Sequence, residues 1–99
     1  RAALLVSCGI PISRYPDGTD PLDFAPRFKV PVLLMNGRED FTFPYTTSQL
    51  PLFQMLGTPE KDKKLMMHEG GHISDFTPEM LRAALDWLDR YLGPVNERR

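Results

Sequence analysis

Lys29-Val30-Pro31-Val32-Leu33-Leu34-Met35-Asn36-Gly37-Arg38-Glu39-Asp40-Phe41-Thr42-Phe43-Pro44 is the stretch from which the fold is read. An apolar run begins around Pro31 and stops abruptly at Asn36-Gly37. A carboxylate, Asp40, follows three residues after the glycine, and Pro44 closes the loop. Val30 to Asn36 shows no alternation of apolar and polar residues, the pattern of a parallel strand covered on both faces. Further along, Leu65-Met66-Met67-His68-Glu69-Gly70-Gly71-His72 repeats the form, an apolar run ending in a glycine-rich loop that presents His72. Two strand-to-loop junctions therefore carry the chemistry, one offering Asp and the next His.

The flanking segments fit the same plan. Ala2 to Cys8 is an apolar run of strand length, ended by Gly9 and Pro11. A punctuated stretch follows, with Tyr15-Pro16-Asp17-Gly18 reading as a turn and Pro21 to Ala25 as one helical turn capped by Asp20. So long a connection with little regular structure often shapes a functional rim. Thr46 to Leu56 reads as helical, with Pro51 starting a second segment or kinking the first because it lacks an N–H donor. Lys63 to His68 reads as a third strand, Leu65 and Met67 on one face and Met66 on the other.

The last element has clear ends. Thr77 caps it, Pro78 suits the first helical position, and Glu79 complements the positive end of the dipole. Leu81, Ala84, Leu85, Leu88 and Leu92 recur at helical spacing, Trp87 and Tyr91 widen the stripe, and Gly93-Pro94 stops the helix. The expected fold class is α/β, with three parallel strands and crossover helices in right-handed connections. Sites in such sheets gather at the carboxyl ends of the strands, where Asp40 and His72 fall.

Composition excludes more than it assigns. Ninety-nine residues suit one small domain. A net charge of −1 and 41 % hydrophobic residues give no sign of nucleic-acid or membrane binding. No apolar stretch approaches the roughly 20 residues needed to cross a bilayer, and the opening run is too short for a signal peptide. The chain lacks an initiating Met, so its natural start is expected upstream. The single Cys8 cannot form an internal disulfide, which suits a reducing, cytoplasmic setting. Lys61-Asp62-Lys63-Lys64 reads as a solvated turn.

Val-Pro-Val-Leu-Leu-Met-Asn-Gly-Arg-Glu-Asp with Phe43-Pro44 behind it, His-Glu-Gly-Gly-His, and the closing Leu85-Asp86-Trp87-Leu88 resemble the α/β-hydrolase fold. The resemblance is to its C-terminal portion, and within it to the dienelactone-hydrolase and prolyl-oligopeptidase-like branch. It covers nearly the whole chain, as the sixth, seventh and eighth strands of one domain, so that residues 1–99 would be its C-terminal fragment. Similar domains also occur fused behind bacterial protein-kinase modules, which would place the chain in a larger multidomain protein. The resemblance implies a Ser…Asp…His triad in which Asp40 is the acid, His72 the base, and the serine lies upstream.

The chemistry needs those residue types. A serine hydroxyl is a poor nucleophile until an imidazole removes its proton, and the imidazole needs a carboxylate on its other nitrogen to fix the tautomer. Gly70 and Gly71 give the loop freedom to place the ring. Glu39 is the rival acid, disfavoured by the position of Pro44. Phe41 and Phe43, with Tyr45 near by, are candidates for lining a substrate pocket, against the plainer reading of aromatic core at a strand end. The oxyanion-hole donors are expected outside this chain.

Three competing sites are weaker. His68-Glu69-Gly70-Gly71-His72 matches H-E-x-x-H, but zinc-protease chemistry needs both histidines on one helix face, and adjacent glycines behind a strand argue against a helix. No metal or cofactor is expected. Cys8 precedes Asp40 and His72 in the right order, yet Val6-Ser7-Cys8-Gly9-Ile10 lacks the G-x-C-x-G elbow and Pro11 interrupts any following helix. Ser7 fails as a nucleophile on the same grounds. Two functions remain: part of an esterase- or peptidase-type hydrolase acting on a small-molecule ester or peptide and partnered by the missing N-terminal part of its domain, or a non-catalytic binding or regulatory module of the same fold.

Overall fold

A computed structural model describes residues 1–11, 16–18, 20–73 and 75–94. The elements are β1 (Ala3–Val6), α1 (Pro21–Phe24), β2 (Val32–Gly37), α2 (Leu50–Met55), β3 (Lys63–His68) and α3 (Pro78–Leu92). Single 3-10 turns at Ala25–Arg27 and Glu60–Asp62 precede the second and third strands, and a π-helical turn at Tyr45–Gln49 runs directly into α2. The strands form one parallel sheet in the order β1-β2-β3. No helix among the described residues is long and apolar enough to cross a membrane.

The central strand explains its own composition. Every residue of β2 is buried. Val32 and Leu34 face a cluster with Ala25, Leu52 and Leu56, while Leu33 and Met35 face a second cluster with Met80, Ala84 and Trp87. A continuous apolar run is what a strand covered on both faces requires. The sheet is thus sandwiched between α2 with the turn after α1 on one side and α3 on the other. Leu65 of β3 joins the first cluster and Met66 the second, the alternation expected of a strand.

Local signals set the ends of the elements. Asp20 caps α1, its Oδ1 accepting from the amide of Leu22 at 2.9 Å. Of the expected turn at 15–18, Tyr15 lies outside the described residues. Pro51 falls in the first turn of α2, directly behind the π-helical turn, so the helical run changes type there and a second segment begins. Thr77 Oγ1 accepts from the amide of Met80 at 3.2 Å, and the amide of Gly93 closes α3 on Asp89 O.

Two expectations are corrected. Ala84 and Trp87 of the expected α3 stripe are buried, joined by Met80, whereas Leu81 and Leu85 are each 50 % exposed. Either side of the stripe satisfies helical spacing, and the orientation of α3 against β2 selects the Met80 side. Lys63 does not lie in a solvated turn either. It opens β3 with its side chain buried, and its Nζ donates to Phe53 O at 2.8 Å and Leu56 O at 3.2 Å, with Glu60 at 3.4 Å. Carbonyls at the end of α2 carry partial negative charge and want a cation, which this lysine supplies.

Candidate active site

The register of the sheet brings the two loops together. Gly37 pairs with His68, so β2 and β3 end level with each other. Asp40 lies three residues past one end and His72 four past the other, on the same rim. Hydrogen bonds stitch the loops: Arg38 N to His68 O at 2.9 Å and Glu39 N to Gly70 O at 3.0 Å. Gly37 makes this approach possible, because a Cβ there would collide with the carbonyl oxygens of Gly70 and Gly71. Gly70 itself turns with φ +122°, a conformation that favours glycine.

Asp40 is fully enclosed. Its Oδ1 accepts from the amides of Thr42 at 2.9 Å and Phe43 at 2.8 Å, and its Oδ2 lies 2.9 Å from Nδ1 of His72. Burial pushes the carboxyl pKa up, but the Phe43 amide, the hydrogen bond and charge of His72 and the Thr42 amide outweigh it. The group is held below the usual carboxylate value. An ionised carboxylate only accepts, so Nδ1 of His72 carries the proton and donates it. In the neutral imidazole that tautomer leaves the lone pair on Nε2, the form in which a histidine acts as general base. The carboxylate is completely buried while the imidazole is 35 % exposed, so the pair opens outward on the histidine side.

The surroundings brace this pair. The Phe43 ring meets the His72 ring edge-on with centroids 5.4 Å apart. Gln49, buried beneath the loop, donates from Nε2 to Gly37 O at 3.1 Å and Phe43 O at 2.7 Å. Phe41 is 89 % exposed and Glu39 is exposed, with Arg38 reaching Glu69 at 3.2 Å on the surface. The segment His68 to His72 is a strand end and a loop, not a helix, so the geometry that H-E-x-x-H chemistry needs is absent from it. Among the described residues no three His, Cys, Asp or Glu side chains gather as a metal site. Burial pushes the Cys8 thiol pKa up, away from the thiolate a cysteine nucleophile uses. Ser7 Oγ donates to the backbone oxygen of His72 at 2.6 Å, not to its ring.

Gln49 and the Ser7 contact with His72 went unnoticed in the sequence. Gln49 ends the polar run Thr46-Thr47-Ser48-Gln49, which offers little to distinguish it, and Ser7 stands directly after a strand.

No family model and no curated protein matches the chain. Solved structures of a novel cold-adapted esterase from an Arctic intertidal metagenomic library do, in zinc-bound and native forms. Each is 31 % identical with a TM-score of 0.67, and the match covers 90 % of this chain and 37 % of the esterase. A PEG-bound complex of the same esterase matches equally, over 36 % of its length. The chain thus spans little more than a third of the esterase it resembles, and over that third it has the same α/β fold of hydrolase type.

Proposed function

We propose that this chain is the C-terminal part of an α/β-hydrolase domain of the dienelactone-hydrolase and prolyl-oligopeptidase-like branch. In it, Asp40 and His72 serve as acid and base of a Ser-Asp-His triad whose serine lies upstream. The observation that carries the proposal is the buried Asp40 carboxylate 2.9 Å from Nδ1 of a partly exposed His72, on the carboxyl rim of a parallel sheet. The likeness to an esterase supports it.

In the proposed reaction Nε2 of His72 takes the serine proton as the hydroxyl attacks the substrate carbonyl, and Asp40 stabilises the imidazolium that forms. The proton then passes to the leaving alcohol or amine, and water resolves the acyl-serine by the same route. Phe43, against the His72 ring, is the better placed aromatic to meet an ester or peptide substrate; Phe41 would do so only from the surface.

The test is turnover of p-nitrophenyl acetate by the protein carrying its natural upstream sequence, with labelling by a fluorophosphonate. Fluorophosphonate-sensitive hydrolysis that falls at least about a thousandfold in His72→Ala is expected. Undiminished hydrolysis in His72→Ala would sink the triad assignment. A protein inert to both reagents would instead be the binding or regulatory module.

A further inference from the structure

Ser7 follows the last residue of β1 and has φ +57°, a left-handed conformation that residues with a side chain rarely take. Its amide donates to Met35 O at 3.0 Å, extending the β1–β2 ladder by one rung. Its hydroxyl donates to the backbone oxygen of His72 at 2.6 Å, a contact across 65 residues of sequence. The next two residues continue toward the same site. Cys8 O accepts from the buried Asn36 Nδ2 at 2.7 Å. Gly9 is packed so closely against the Phe43 side chain that a Cβ there would collide with it, and Phe43 is the residue whose ring lies edge-on to His72.

His72 needs such an anchor. On its N-terminal side Gly70 and Gly71 are held against Gly37 and Glu39, but Ile73 after it is 92 % exposed, so the Ser7 bond is what ties down the carbonyl of His72 itself. Asp40 fixes one ring nitrogen, but a single hydrogen bond lets the ring swing as the backbone moves. The position of Nε2 is defined only if the backbone of His72 is also held.

We propose that Ser7 is a positioning residue for His72, its hydroxyl clamping the His72 carbonyl to the end of β1 so that Asp40, Phe43 and Ser7 together fix where Nε2 points. This rests on the reading of His72 as the base. The hydroxyl proton goes to a carbonyl, so Ser7 acts through the backbone and touches no reacting atom.

The experiment compares Ser7→Ala and Ser7→Gly with the unaltered protein carrying its natural upstream sequence. Both substitutions remove the hydroxyl, and glycine accepts φ +57° without strain, so Ser7→Gly decides if Ser7→Ala fails to fold. Three readouts are taken: the thermal melt, the downfield proton resonance of His72 Nδ1–H, and kcat and KM for p-nitrophenyl acetate. Expected in the folded variants is a broadened or lost Nδ1–H resonance, with kcat lower by about tenfold at unchanged KM. A resonance and a kcat like those of the unaltered protein in Ser7→Gly would overturn the proposal. Asp40→Asn separates the two levels. If it is inactive while Ser7→Gly is unaffected, only the role of Ser7 fails. If it turns over normally while Ser7→Gly loses the resonance, the clamp stands and the catalytic assignment fails.

Discussion

Replacing Asp40 by Asn changes one atom and inverts the polarity of a hydrogen bond. The carboxylate accepts three bonds: Thr42 N at 2.9 Å and Phe43 N at 2.8 Å on Oδ1, and His72 Nδ1 at 2.9 Å through Oδ2. Asn keeps an acceptor for the two amides but makes both bonds neutral. It also presents an NH₂ where Oδ2 was, which forces the His72 proton from Nδ1 to Nε2. A bond to a charged acceptor contributes about 1.5–3 kcal/mol and a neutral one about 1. Two weakened bonds and one rebuilt in the wrong sense therefore cost about 2–3 kcal/mol at neutral pH. In a domain of roughly 150–250 residues that lowers the Tm by roughly 4–12 °C.

The pH dependence follows from the lowered Asp40 pKa. A carboxyl held below its unfolded value, about 3.9, stabilises the fold fully above that value. That contribution is lost as pH falls through the lower, folded value. The gap between the unaltered protein and Asp40→Asn should thus be largest at neutral pH and narrow in acid below the ordinary carboxylate range. Thermal melts from neutral pH down into that range measure it, and ¹⁵N spectra of the imidazole report the tautomer. Under the proposed triad the wrong tautomer should also lower kcat by about 10⁴. A gap that stays constant into acid, or a His72 proton still on Nδ1, would refute the account of Asp40 as an ionised, buried acceptor.

Gly37→Ala tests the close approach of the two loops. The new Cβ must push the Gly70 and Gly71 carbonyls away, so a loss of about 1–3 kcal/mol is expected, together with a disturbed His72 Nδ1–H resonance. A variant with an unchanged melt and resonance would show that the loops have slack. Met80→Ala and Leu85→Ala test which stripe of α3 is core. Met80 is 1 % exposed and should cost about 2–5 kcal/mol in denaturant unfolding, Leu85 at 50 % exposure well under half of that; equal losses would contradict the observed orientation of α3.

Much of the architecture was legible in local pattern. β2 announces itself because a strand covered on both faces has no polar side, so its composition alone states its place at the centre of the sheet. The caps at Asp20 and Thr77 were legible because they act within one turn of their own helices. Pro51 marked a segment boundary for the same reason: a missing N–H is a local fact. Asp40 and His72 stood out as a carboxylate and an imidazole directly past two strand ends.

What periodicity leaves undecided is which of two equivalent local patterns meets a partner. On α3 Ala84 and Trp87 can share a face with Leu81 and Leu85 or with Met80 at helical spacing, and only docking on Leu33 and Met35 puts Met80 in the core and leaves the two leucines outside. Lys63 reads as a surface charge until the fold brings the end of α2 over it and supplies two carbonyls. The Ser7 bond to His72 joins residues 65 apart, and no short-range rule links a serine after one strand to a carbonyl after another. The sequence by itself determined the order and type of the main elements, the caps of α1 and α3 and the two side chains offered at the rim, because those depend on neighbours a few residues away. β1, β2 and α2, by contrast, start or stop one to four residues from where local pattern puts them. The level ends of β2 and β3, the 2.9 Å between Asp40 and His72 and the bracing from Gln49 and Ser7 were decided by tertiary structure, because each requires separate segments to arrive at one point in space.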